Sequence, residues 1–101
     1  MSTWLTIVGI GEDGYAGLGA KARAALQAAR HVVGSERTLA MLPSGPARQH
    51  EWPQPFSAVV EQINHLRGEA TVILATGDPL NFGVARKILT FVAKEEVDII
   101  P

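Results

Sequence analysis

The apolar positions of this chain fall into runs of two kinds, and their periods predict the elements. Trp4 to Ile10 is a β-branched apolar run without two-residue alternation. Such a run fits a strand covered on both faces, as in a parallel sheet. Ala70 to Ala75 repeats the pattern, and His31-Val32-Val33-Gly34 and Val97-Asp98-Ile99-Ile100 are shorter strands. Arg48 to Trp52 is polar enough to belong near an edge. Between these runs the spacing turns helical. Leu18 to Arg30 is an Ala-rich helix with Lys21, Arg23, Gln27 and Arg30 on its wet side. Ser57 to Arg67 places Val59, Val60, Ile63 and Leu66 on one face, against Glu61, Gln62, Asn64 and His65. Val84 to Ala93 turns Val84, Ile88, Phe91 and Val92 inward, with Arg86, Lys87 and Lys94 outside.

Turn residues mark the joints. Ser35 is placed to cap a short helix over Glu36 to Leu42, stopped by Pro43. Pro43-Ser44-Gly45-Pro46 is turn material, and Gly68 stands where a helix C′ glycine is expected. Pro53-Gln54-Pro55 forces an extended link, with Trp52 and Phe56 anchoring it to the core. Strands alternating with helices predict an α/β fold: a mostly parallel five-stranded sheet covered by helices. The two strongest strands end in Gly9-Ile10-Gly11-Glu12-Asp13-Gly14 and Thr76-Gly77-Asp78-Pro79-Leu80-Asn81. Both loops should therefore lie on one sheet edge, at the carboxyl ends where open α/β sheets bind ligands.

Composition narrows the classes. At 101 residues the chain is one domain, and 47% hydrophobic with 19% charged residues excludes a disordered segment. A net charge of −1, with basic residues scattered, argues against nucleic acid or an anionic membrane as partner. The absence of cysteine excludes disulfides and thiolate metal sites. Met1-Ser2-Thr3 leads into a strand without a basic region or cleavage site, and no apolar run reaches spanning length. A soluble cytoplasmic protein is expected.

The loops can be set against familiar chemistries. Gly9-x-Gly11-x-x-Gly14 follows a strand with dinucleotide-loop spacing, but Glu12 and Asp13 put carboxylates where a pyrophosphate would sit. No lysine follows in the P-loop position. Asp78 and Asn81 have an ordinary reading as a helix cap. His31, His50 and His65 stand on separate elements without ligand spacing, so no metal site is expected and each reads as a surface or strand-end histidine. Ser35 and Ser57 read as caps rather than nucleophiles. The residues alone define an α/β domain with a small-molecule cleft.

Four separated pieces carry a resemblance. They are Thr6 to Gly14, Val32 to Leu39, Trp52-Pro53-Gln54-Pro55-Phe56, and Ala75 to Gly83. In order and spacing they resemble the tetrapyrrole (corrin/porphyrin) methylases, S-adenosylmethionine-dependent methyltransferases. The first and last pieces are widespread in that family. The middle two resemble its cobalamin branch, which methylates C5 of a corrin precursor (the precorrin-6Y and cobalt-precorrin-7 enzymes). The resemblance implies that residues 1–101 are the N-terminal α/β domain of a two-domain fold, with the C-terminal domain absent from this chain. It further implies S-adenosyl-L-methionine as methyl donor, contacted at Glu12, Thr76, Gly77, Asp78 and Asn81. Gly9, Gly11, Asp13 and Gly14 would shape a loop facing the tetrapyrrole, and a homo-oligomer is expected. Some family members have proline at the position of Glu12, and many an aromatic or aliphatic residue at that of Asn81. The transfer requires no dedicated base, so no catalytic residue is nominated. The expected fragment folds but lacks activity alone. Two other classes stay open: a non-catalytic interaction domain, and a Rossmann-like nucleotide-binding module. Within the family, diphthine synthase and the ribosomal-RNA methylase branch are the near alternatives.

Overall fold

The computed structural model describes residues 3–43, 45–75 and 86–100, and at residue 56 the backbone alone. Five strands form one sheet in the order β3-β2-β4-β1-β5: β1 Leu5–Gly9, β2 His31–Gly34, β3 Arg48–Glu51, β4 Thr71–Ala75 and β5 Val97–Ile100. Every pairing is parallel. The central position of β1 and β4 follows from their composition, since only strands apolar on both faces can be covered on both.

Successive residues of β1 and β4 face opposite layers. Leu5, Ile7, Val33 and Ile73 pack with Val59, Ile63, Leu66, Ile88 and Val92 on one side. Val8, Val32, Val72 and Leu74 meet Ala22, Leu26, Ala29 and Leu39 on the other. The first side is covered by helix α3 (Val59–His65) and residues 86–92, the second by α1 (Ala20–Ala28) and α2 (Glu36–Ala40). The inward and outward faces of α3 fall as its spacing requires, with Val59 and Ile63 fully buried. The small side chains of Ala22 and Ala29 let α1 lie close to the sheet.

Several element ends differ from the sequence pattern, each for a local reason. The helix expected over Leu18 to Arg30 is shorter. A 3₁₀ turn at Gly14–Gly17 precedes it, and Leu18 and Gly19 are extended. At its far end Arg30 and His31 already donate backbone N–H groups to the Ala70 carbonyl, 2.7 and 3.1 Å away. Arg23 is half-buried on that side: it donates to the Ala16 carbonyl at 2.8 Å and lies 5.2 Å over the Tyr15 ring. α2 stops at Ala40 because Met41 and Leu42 wind tighter, onto Thr38 and Leu39 carbonyls. Ser57 is not a helix cap. It sits inside a 3₁₀ turn, Phe56–Ala58, closed by Ala58 N–H to the Pro55 carbonyl at 3.0 Å, and α3 starts uncapped by any side chain. Gly68 takes φ +88° just beyond α3, the left-handed geometry expected of it. Of the helix expected from Val84 onward, residues 86–89 are helical; Val84 lies outside the described residues.

Among the described residues no helix is long and apolar enough to cross a membrane.

Candidate functional site

The carboxyl ends of β1 and β4 are neighbours. Gly9 stands opposite Ala75 in the parallel register, and Ile10 N–H donates to the Ala75 carbonyl at 2.8 Å. β4 therefore ends, at Ala75, beside the start of the Gly9–Gly14 loop. Thr76, Gly77, Asp78 and Asn81 themselves lie outside the described residues.

The loop is brought together in full. Gly9, Gly11, Glu12 and Asp13 are exposed and Gly14 is buried. Gly14 N–H donates to the Gly11 carbonyl at 3.0 Å, closing a turn that needs φ +63° at Gly14, a left-handed angle suited to glycine. Gly11 is different. Among the described residues a Cβ there would meet nothing within 4 Å, and its φ is not left-handed. Among the described residues nothing requires glycine at Gly11, and its backbone lies exposed. Glu12 and Asp13 set two carboxylates beside that backbone, which disfavours a phosphate and suits a cation.

Tyr15 and Met41 also belong to this region, and the sequence reading passed over both. The missing Cβ of Gly14 faces the Met41 side chain at 3.5 Å, so the end of α2 packs beneath the loop. Tyr15 follows the loop and lines a separate cavity of about 360 Å³ between α1 and the α2–β3 connection. Its only signal was adjacency to the glycine pattern.

The segment Val32 to Leu39 has a structural explanation. Ser35 Oγ accepts from Thr38 N–H at 3.2 Å, and Thr38 Oγ1 accepts from Ser35 N–H at 3.0 Å: a reciprocal capping box. Gly34 is required by close approach, since a Cβ there would fall 2.7 Å from Thr38 Oγ1 and 3.3 Å from Leu74 Cβ. Glu36 and Arg37 remain exposed. Trp52 is half-buried against the first core layer, anchoring the proline link as expected; the Phe56 side chain lies outside the described residues.

The histidines correct a second expectation. His65 is exposed on α3 and His31 opens β2, as the sequence predicts, but His31 and His50 are not separate from each other. His31 Nδ1 lies 3.0 Å from His50 Nε2, and His31 Nε2 lies 3.2 Å from Glu69 Oε1. Burial, then the charges of His31 and Arg48, hold the His50 imidazole below its ordinary pKa. Sequence spacing could not reveal the pair, because the ladder between β2 and β3 creates it.

Fold and loop together define a parallel α/β domain whose first loop sets exposed backbone and two carboxylates at the carboxyl edge of the sheet. The sequence model of the tetrapyrrole (corrin/porphyrin) methylases matches residues 4–101. The chain belongs to that family. It is 41% identical over 104 residues to the precorrin-6Y C(5,15)-methyltransferase (decarboxylating) of Sinorhizobium sp, covering 100% of this chain and 25% of that protein. The protein of the same name from Mycobacterium tuberculosis is 33% identical over 98 residues, covering 96% of this chain and 25% of the relative. The cobalt-precorrin-7 C(5)-methyltransferase of Salmonella typhimurium is 31% identical over 97 residues, with 96% of this chain and 48% of the relative covered. The chain thus spans a quarter to about half of the length of these relatives.

Proposed function

We propose that this chain is the N-terminal domain of an S-adenosylmethionine-dependent C-methyltransferase that methylates C5 of a corrin-ring precursor in cobalamin biosynthesis. One observation carries the reading: the Gly9–Gly14 loop leaves β1 beside the end of β4 at Ala75, and among the described residues nothing requires the bare backbone at Gly11. The relatives' names support the substrate class, and the carboxylates of Glu12 and Asp13 suit a donor that carries a sulfonium and an ammonium charge.

The bound donor would supply an electrophilic methyl group on sulfur. That methyl would pass to an electron-rich carbon of the macrocycle as the C–S bond breaks, with S-adenosylhomocysteine leaving and the carbon's proton lost. Such a transfer depends on holding carbon, methyl and sulfur in line, and positioning alone supplies several kcal/mol, up to about 7–11 in well-oriented systems. In this reading the chain's own part is positional. Glu12, Thr76, Gly77, Asp78 and Asn81 hold the donor, while Gly9, Gly11, Asp13 and Gly14 shape the wall towards the macrocycle. Chain beyond these 101 residues, as in the longer relatives, would close the other side.

Calorimetry and a methyl-transfer assay test this directly. The 101-residue chain should bind S-adenosylmethionine weakly and transfer nothing; micromolar affinity or turnover would overturn the claim that the site is incomplete. The longer parent protein should add one methyl to a precorrin, and failure to do so would sink the substrate assignment. A docking role has one observation of its own. β5 forms an apolar edge of the sheet, with Ile99 52% exposed. Concentration-dependent dimerisation of the chain without donor binding would favour that role.

A further inference from the structure

The geometry of His31, His50 and Glu69 points to a second site, away from the glycine loop. We propose that the two imidazoles bind one divalent ion of the copper(II) or nickel(II) class, with Glu69 as the carboxylate that orients His31.

The ladder makes the pair. His31 is opposite Arg48 and Val33 opposite His50, so His31 and His50 sit diagonally on the same face of adjacent parallel strands. Their rings are tilted by 41°, with centroids 5.2 Å apart, and meet nitrogen to nitrogen rather than face to face. A carboxylate can only accept, so Glu69 takes the Nε2 proton of His31 and leaves its Nδ1 lone pair aimed at His50. Without an ion, His50 Nε2–H donates into that lone pair. When His50 carries its proton on Nδ1 instead, the two lone pairs face each other across 3.0 Å, and a turn of the imidazoles aims both at one ion between them.

The spacing suits a metal. Two nitrogens about 2.0 Å from one ion lie about 2.8 Å apart when cis in a square plane, and about 3.3 Å apart in a tetrahedron. The observed 3.0 Å falls between these values, nearer the first. Imidazole nitrogen suits copper and nickel, and copper(II) heads the affinity order of the divalent series. Glu69 behind His31 reproduces the carboxylate–histidine–metal arrangement that fixes a ligand's tautomer.

The surroundings set limits. The His31 side chain is only 12% exposed, whereas that of Glu69 is 45% exposed. His31 and Glu69 also line an open cleft at the amino end of the sheet, together with Arg30 and Arg48, which gives solvent a way in. Arg30 Nη1 is 3.8 Å from Glu69 Oε1. Both arginines oppose a further positive charge, and Glu69 offsets it only in part. Among the described residues no group of three or more histidines and carboxylates gathers around one point. The site is therefore an open two-imidazole site completed by water, with moderate affinity.

Copper(II) titration of the untagged chain, followed by calorimetry and electron paramagnetic resonance, decides the matter. One equivalent should bind with the hyperfine pattern of two imidazole nitrogens and raise the melting temperature. His50→Gln on the edge strand should weaken binding at least tenfold and abolish the thermal shift. Glu69→Gln should weaken it about tenfold, the lower end for an orienting partner. His65→Gln should change nothing. Unchanged affinity in His50→Gln, or loss in His65→Gln, overturns the proposal. If His31→Gln does not fold, the spectrum and His50→Gln suffice, because circular dichroism of His50→Gln reports its fold independently.

Discussion

The two ends of the sheet are built on different principles. At the amino end, side chains bond to one another across the chain. Trp4 Nε1 donates to Glu96 Oε1 at 3.0 Å, Arg67 Nη1 lies 3.6 Å from Glu96 Oε2, and the Arg67 guanidinium stands 5.6 Å over the Trp4 ring. Arg67 also donates to Asn64 Oδ1 and to the Phe91 carbonyl. That cluster ties the start of β1 to the end of α3 and the turn before β5. At the carboxyl end, the loop after β1 is held by backbone and glycine, with its carboxylates turned to solvent. An end that must hold the fold spends its polar groups on itself. At the carboxyl ends of the strands, where open α/β sheets bind ligands, the Glu12 and Asp13 carboxylates stay exposed.

The largest break in this contrast comes at the amino end. Glu96 is 8% exposed and accepts from a buried indole N–H. Glu96→Ala leaves that donor without its partner and takes the anion from Arg67. The half-exposed arginine can turn to water, so the cost is set mainly by the indole and the packing, about 2–3 kcal/mol. For a domain of this size the melting temperature should fall by roughly 10–20 °C. Glu96→Gln keeps an acceptor and should lose about half as much. A loss below about 0.5 kcal/mol for Glu96→Ala, within the range of ordinary surface substitutions, would show that the cluster is ornamental.

A smaller effect is expected where α2 meets the sheet. In Gly34→Ala the new methyl arrives 2.7 Å from Thr38 Oγ1 and 3.3 Å from Leu74 Cβ. Thr38 is held in the capping box and cannot yield cheaply, so a loss of about 1–2 kcal/mol follows, read by denaturant midpoint at unchanged m-value. This substitution also separates two readings of the Val32 to Leu39 segment. A purely structural segment loses stability alone.

The histidine pair should give the domain a modest pH dependence. His50 has its folded-state pKa held below the ordinary value of 6.5, so the native state resists its protonation. The contribution is fully present above about pH 6.5. It is lost as pH falls from there through the lowered native value, because the unfolded chain takes up the proton first. The groups facing His50 are His31, behind it Glu69, and the Arg48 cation. His50→Gln should flatten the stability curve over that interval, and an unchanged slope would remove the pair from the account.

Legibility in the sequence follows the same division. The strands β1 and β4 were plain because continuous β-branched runs have no other economical use, and the Gly9–Gly14 loop followed from the first. Ser35 was plain as a cap because its partner stands three residues away. The network at Glu96 was not, since Trp4 and Glu96 are 92 positions apart and only the closed sheet makes them neighbours. The His31–His50 contact was hidden likewise, by a ladder that spacing does not encode. Ser57 misled because a serine before a helical run reads as a cap, while Pro55 had already started a tighter turn two residues earlier. Of the site, the loop was legible as a pattern, but only coordinates could separate the glycine that folding needs from the one it does not.

That separation gives the smallest stability effect and the sharpest test. Gly14 needs its left-handed angle, whereas Gly11 has neither that angle nor, among the described residues, a neighbour within reach of a Cβ. Gly11→Ala should leave the stability of the chain unchanged, or raise it by about 0.4–1 kcal/mol through the unfolded state. If the bare backbone exists for close approach of donor or macrocycle, the same methyl in the longer parent protein should weaken binding of one of them, read as a rise in Kd or KM at intact fold. A substitution that is harmless to folding and harmful to binding is what distinguishes a functional glycine from a structural one. Loss of stability with binding intact would move Gly11 to the structural side, and the contrast between the two ends of the sheet would lose its clearest residue.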